Sequence, residues 1–243
     1  MTSDTDMLSR SARCNRRAPR SGSRRTDATV EGLTVLDAVG PYEVLSRLPG
    51  ASVTTVGLDA GAVRNERGSL AIMADATIAE VDETDVLVVP GGIATRDLVN
   101  DSRLVSWLGR VHETTEWTAS VCTGSLLLGA AEILERRDAT THWLQLERLR
   151  DFGARPSDER VVVQGKVLTA GGVSAGIDMG LTLAALIAGN DIAQAIQLSI
   201  EYDPRPPFDA GNARTAPPEI RCSRTKARGP PGTRCRAGRL ASI

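Results

Sequence analysis

Aromatic side chains are scarce in this chain: tryptophan, tyrosine and phenylalanine together make up 3% of 243 residues. Hydrophobic residues still reach 41%, so a core must be built mostly from aliphatic side chains. Histidine is rarer still. His112 and His142 are the only two, and neither stands at ligand spacing from a cysteine, which excludes the usual zinc patterns. No apolar run approaches the ~20 residues needed to cross a bilayer. No apolar stretch follows the N-terminal arginines either, which excludes a secretory signal. Of the four cysteines, Cys14, Cys222 and Cys235 lie near the ends, and Cys122 stands alone in the body. Without a secretory context or a C-x-x-C pair, they do not read as a disulfide framework. The absences together point to a cytoplasmic protein with no membrane partner and no metal.

Acid and base are unevenly distributed beneath a net charge of −1. Residues 1–29 hold seven arginines against three aspartates, and residues 213–243 hold eight Lys/Arg against one glutamate. Of the 29 basic and 30 acidic residues, 14 and 26 therefore remain in 30–212, a net of −12. A body this acidic excludes nucleic acid as a partner of the fold itself. The ends are Arg-rich without an apolar period, which reads as disorder. The expected organisation is a basic tail over 1–29, one domain over 30–212 and a second basic tail over 213–243.

From Val30 the pattern becomes ordered. Leu33 to Pro41 reads as a turn feeding a helix over 42–48, and Val53 to Leu58 as a short strand. Asp85-Val86-Leu87-Val88-Val89 is a continuous β-branched run, the mark of a parallel strand covered on both faces, and Pro90-Gly91-Gly92 ends it. Asp97 to Thr115 has the apolar stripe of an amphipathic helix. Trp117 to Val121 reads as a strand, Ser125 to Leu134 as a buried helix and Leu144 to Phe152 as a helix. Residues 161–169 form a hairpin around Gly165. Two helices follow, Ser174 to Ala188 and about 191–201. Strands alternating with helices, with glycines at strand ends, predict an α/β fold with helices on both faces of a largely parallel sheet.

The centre of this arrangement is Ser120-Val121-Cys122-Thr123-Gly124-Ser125. Cys122 falls at a strand-to-helix joint, where a side chain is pushed out at the carboxyl end of the sheet. The following helix N-terminus favours a thiolate. Taken alone, an unpaired cysteine reads as a small buried hydrophobe, and Asp37 before a helix reads as a cap. Ligands of open parallel sheets bind at strand carboxyl ends, and Gly91, Gly92, Cys122 and Asp37 converge there. That convergence favours a site.

Five stretches in this order resemble a known superfamily. They are Leu36-Asp37-Ala38-Val39-Gly40-Pro41-Tyr42-Glu43-Val44, the Val-Pro-Gly-Gly strand end, the Cys122 turn, Thr140-Thr141-His142-Trp143, and Gly171-Gly172-Val173-Ser174-Ala175-Gly176-Ile177-Asp178. Together they resemble the ThiJ/PfpI superfamily of the class I glutamine amidotransferase-like fold, and within it the isonitrile (isocyanide) hydratases, over about 30–212. The resemblance implies a three-layer α/β/α sandwich with a mostly parallel, flavodoxin-like sheet. It implies Cys122 as nucleophile, Asp37 as the acid beside it, Thr123 in place of the histidine of protease and deglycase branches, and backbone amides of Gly91 and Gly92 facing the site. It further implies a cofactor-free lyase acting on a small-molecule isonitrile through a thioimidate, and a homodimer. His142 reads as a hydrogen-bonded structural residue and not as a base, and Asp178 as a cap or pairing partner on its helix.

Two other classes stay open. The domain also resembles the ligand-sensing half of AraC-type regulators, but seven prolines between Pro204 and Pro231 exclude a recognition helix there. A deglycase, chaperone or peptidase is disfavoured by Thr123. The ends carry a further expectation. Relatives begin with an apolar strand where this chain has Gly22-Ser23-Arg24-Arg25-Thr26-Asp27-Ala28-Thr29-Val30. Unpaired arginines are costly in a sheet interior, so this segment is not expected to replace that strand, and both tails read as foreign to the fold, as if translated in a shifted frame.

Overall fold

The computed structural model describes residues 24–28 and 32–228. In chain order the elements are β1 (Arg24–Ala28), α1 (Val35–Leu45), β2 (Ser52–Gly57), β3 (Gly61–Arg64), β4 (Ala71–Ala74), β5 (Ala76–Thr77), β6 (Val86–Val89), α2 (Thr95–Leu98), α3 (Ser102–Thr114), β7 (Trp117–Val121), α4 (Gly124–Ala130) and β8 (Asp138–Ala139). A 3₁₀ helix (Trp143–Phe152), β9 (Arg155–Pro156), β10 (Val161–Gln164), β11 (Val167–Ala170), α5 (Ala175–Ala188), α6 (Asn190–Ser199) and α7 (Pro218–Arg228) complete the order.

β6 shows how the layers arise. All four of its residues are buried, and the two-residue period sends them alternately to two cores. Val86 and Val88 join Val44 and Leu45 of α1, Met179 and Leu183 of α5 and Ile196 of α6. Leu87 and Val89 join Leu104, Leu108 and Val111 of α3 and Leu126 to Leu128 of α4. Each fully buried aliphatic side chain contributes roughly 1.5–3 kcal/mol, so both faces of the strand must be covered. The sheet runs β10-β11-β7-β6-β1-β2-β5, and its pairings are parallel except for the β10–β11 hairpin. This is the α/β/α sandwich with a mostly parallel sheet. Among the described residues the core is largely aliphatic, and the buried Trp107 donates its Nε1–H to the Val81 carbonyl at 2.7 Å.

Several boundaries depart from the sequence reading. α1 begins at Val35 and carries Pro41 inside it. The stripe from Asp97 to Thr115 divides into α2 and α3, because Asp101 caps α3 by accepting the amides of Arg103 and Leu104 at 2.9 and 3.2 Å. Two stretches assigned to the tails form regular elements. Residues 24–28 make β1, seated between β2 and β6, because a parallel ladder is made of backbone groups that any non-proline residue supplies. Beyond 212, Arg214 pairs with Asp158 at 2.7 Å, Ala216 is buried, and α7 starts at Pro218, a position where proline is tolerated. Cys222, on α7, is disulfide-bonded, a pairing that the cysteine spacing had not suggested. The disorder expected of 1–23, 29 and 229–243 concerns residues outside those described. Among the described residues no helix is long and apolar enough to cross a membrane.

Candidate functional site

Cys122 directly follows β7 with a φ of +56°, a left-handed conformation that is unfavourable for a residue with a Cβ. Its backbone is held there on both sides. The Cys122 N–H is shared between the carbonyls of Ala170 and Gly171 at 3.1 and 2.9 Å. The Cys122 carbonyl accepts the hydroxyls of Thr141 at 2.8 Å and Ser125 at 3.1 Å. The sequence reading had no signal for Thr141 in this role, since it arrives from another loop. The sharp turn aims the sulfur at the end of the sheet, where it stays only 5% exposed.

Asp37 lies in the first turn of α1 but does not cap it; Thr34 is the N-cap. Its side chain is fully buried and accepts the Gly91 N–H at Oδ2, 3.0 Å away. The other oxygen, Oδ1, has no hydrogen-bond partner among the described residues. The Cys122 thiol meets the same carboxyl. Burial raises the Asp37 pKa to about 7, against the hydrogen bonds from Gly91 and Cys122, while the negative charge of Glu66 adds to the rise. Glu66 comes from the β3–β4 hairpin, which is tied to the segment before α1 by its own N–H to the Leu33 carbonyl at 3.1 Å.

Burial also dominates the thiol. The Cys122 pKa is pushed up to about 12 by desolvation and by the negative charge of Asp37. The amides of Thr123 and Val173 face the sulfur and work in the opposite direction. The thiolate expected from a helix N-terminus is therefore not the resting form, because α4 is only seven residues long and two amide donors do not offset desolvation. Val173 has φ +33°, strained for a β-branched residue, and the sequence carries no mark of it. Between about 7 and about 12 the Asp37–Cys122 pair holds a single proton, which one group can lend to the other.

The expected glycines and threonine are all present, but their polar groups are committed to one another. Thr123 Oγ1 accepts the Gly92 N–H at 3.0 Å and donates to the Gly92 carbonyl at 3.1 Å. With the Gly91 N–H on Asp37, both glycine amides are committed to side chains of the site itself. Their work is to brace the floor of the site. A Cβ on Gly91 would stand 2.5 Å from the Thr123 nitrogen, so no other residue permits this approach.

Above the thiol is a cleft of about 260 Å³ lined by Thr34, Glu66, Ile93, Cys122, His142 and Leu144, among others. His142 thus belongs to the site and not only to the scaffold. It is also structural, because its Nδ1 accepts the Leu144 N–H as N-cap of the 3₁₀ helix. Asp178 lies apart, pairing with Arg160 at 2.6 Å and accepting the Tyr202 hydroxyl. Among the described residues, no group of His, Cys, Asp and Glu is arranged to hold a metal ion. The site can offer a buried sulfur, a carboxyl able to take or give a proton near neutrality, and a small cleft of mixed polar and apolar lining.

The DJ-1/PfpI family matches residues 28–186. The chain is 42% identical over 185 residues to the isonitrile hydratase of Pseudomonas putida, covering 76% of this chain and 81% of that protein. It is 26% identical over 171 residues to the HTH-type transcriptional regulator CdhR of Pseudomonas aeruginosa, covering 69% of this chain and 50% of the regulator. A crystal structure of a ThiJ/PfpI family protein from Pseudomonas syringae superposes with a TM-score of 0.83 at 33% identity, covering 92% of this chain and 93% of that one. With its fold, its elbow and these relatives in agreement, the chain belongs to the DJ-1/PfpI family.

Proposed function

We propose that this protein hydrates isonitriles to N-substituted formamides without a cofactor, through a thioimidate on Cys122. The observation that carries the reading is the buried Asp37 carboxyl beside a thiol held in a left-handed elbow. The similarity to an isonitrile hydratase supports the substrate class. The isonitrile carbon accepts a soft sulfur nucleophile. As the Cys122 sulfur attacks, its proton passes to Asp37, which returns it to the same carbon and leaves R–N=CH–S–Cys122. The amides of Thr123 and Val173 stabilise the sulfur while it carries charge. Water then adds to the carbon, Asp37 taking one of its protons and the nitrogen gaining one. The adduct expels the thiol and the formamide. Every atom of R–NC and H₂O ends in R–NH–CHO. Thr123 contributes by its amide and by fixing Gly92. The working unit in this proposal is a homodimer.

Incubation with an alkyl or aryl isonitrile is expected to give the corresponding formamide by mass spectrometry, and Cys122→Ser to abolish it. Turnover by folded wild-type protein no faster than buffer would sink the proposal. That outcome, together with ligand binding in the cleft, would favour a sensor, the reading to which the similarity with CdhR points.

A further inference from the structure

Gly171-Gly172-Val173-Ser174 connects β11 to α5 and meets the elbow twice. The Gly171 carbonyl accepts the Cys122 N–H at 2.9 Å, and the Val173 amide faces the sulfur. Val173 does so at φ +33°, a conformation that persists in a β-branched residue only where its surroundings impose it. Those surroundings are tied to one arginine. The Arg160 carbonyl accepts the Gly171 N–H at 2.9 Å. Its Nη2 donates to Ser174 Oγ at 3.3 Å, and its Nε and Nη2 both reach Asp178 Oδ2 at 2.6 Å. Asp178, in the first turn of α5, also accepts the Tyr202 hydroxyl. Tyr202 is itself fixed after α6 by its N–H on the Gln197 carbonyl at 3.1 Å. Arg160 thus grips the chain on both sides of Val173, and Asp178 anchors that grip to two helices. A partly exposed ion pair adds little to stability, and an acid in a helix's first turn is accounted for by the dipole. Neither accounts for an arginine outside the helix that reaches Ser174 as well as Asp178.

We propose that Asp178 and Arg160 are positioning residues that lock the Val173 amide onto the Cys122 sulfur. Neither lines the cleft above the thiol. Without the pair, Val173 is free to leave the left-handed region, and its N–H turns away from the sulfur. The sulfur then keeps one amide, that of Thr123, where its developing charge had two. The pair therefore acts on how readily Cys122 presents a nucleophilic sulfur, not on the cleft that receives a ligand. The inference rests on Cys122 as the working thiol and does not require that the substrate be an isonitrile.

Alkylation of Cys122 by iodoacetamide in the folded protein at about pH 9, followed by peptide mass spectrometry, reads the sulfur without any substrate. Asp178→Ala and Arg160→Ala are each expected to slow the second-order rate roughly 3- to 30-fold, with a melting temperature within about 4 °C of wild type. The chain carrying both changes is expected to react no more slowly than the slower single variant, because the two side chains act as one unit. A loss confined to Asp178→Ala would assign the effect to the helix dipole and overturn the clamp. Rates within about twofold of wild type overturn it too. So does a faster rate in either variant, which would mean that the loop had opened the sulfur to water. Should Asp178→Ala fail to fold, Arg160→Ala, which keeps the backbone tie to Gly171 and the acid in α5, decides alone. Formamide production by the wild type is read separately: its absence overturns the isonitrile reading and leaves the alkylation result standing.

Discussion

Asp37 concentrates the conflict between stability and function in one side chain. Its folded pKa, about 7, lies above its unfolded value of 3.8. The folded state therefore binds the proton more tightly than the unfolded chain does, and ionising the carboxyl lowers stability. That penalty is absent below the unfolded value, grows as pH rises and is complete above about 7. By linkage it is at most ~4 kcal/mol. Asp37→Asn, which can still accept the Gly91 N–H, is expected to raise the melting temperature more at pH 8 than at pH 5. An equal shift at both pH values would show that Asp37 is not buried as a strained acid. The same substitution should lower turnover roughly 100- to 10,000-fold. In the wild type, kcat/KM should rise through pH 7, because the carboxylate must be free to take the thiol's proton.

At the scale of elements, β1 decides whether the sheet is continuous. It lies between β2 and β6, pairing in parallel with both. Without it, the ladder groups of two interior strands lose their partners. α1, which carries Asp37, follows β1 in the chain and packs over β6 in the core shared with α5. Deletion of residues 1–29 is therefore expected to yield insoluble or molten protein, read by near-ultraviolet circular dichroism and by the loss of a cooperative melt. A truncated chain that melts cooperatively like the full one would mean that β1 adds nothing to the fold. The idea that residues 1–29 are foreign to the domain makes the opposite forecast, so the experiment separates the two.

The whole molecule is an acidic body, net −12 over residues 30–212, between basic ends. Such a charge slows but does not forbid self-association, because repulsion between surfaces is screened within about 8 Å at physiological ionic strength. Light scattering at micromolar concentration is expected to report twice the chain mass of 25.8 kDa. A stable monomer across salt concentrations would remove the homodimer from the proposal.

Local pattern was enough to read the α/β architecture, the strand ahead of Pro90 and the elbow at Cys122. Strand period, glycine turns and apolar stripes are set by neighbours a few residues apart. The same reading brought Asp37, Gly91 and Gly92 to one end of the sheet, while Thr123 entered through the family resemblance. Tertiary structure alone decided what those groups do there. It turned the Asp37 carboxyl away from its own helix and onto Gly91, closed Thr123 on Gly92, and set the Val173 amide against the sulfur. It brought His142 into the cleft and threaded 24–28 through the middle of the sheet. The thiol's high proton affinity belongs to the same class, because desolvation sums over every atom packed around the sulfur, and those atoms come from segments far apart in the chain.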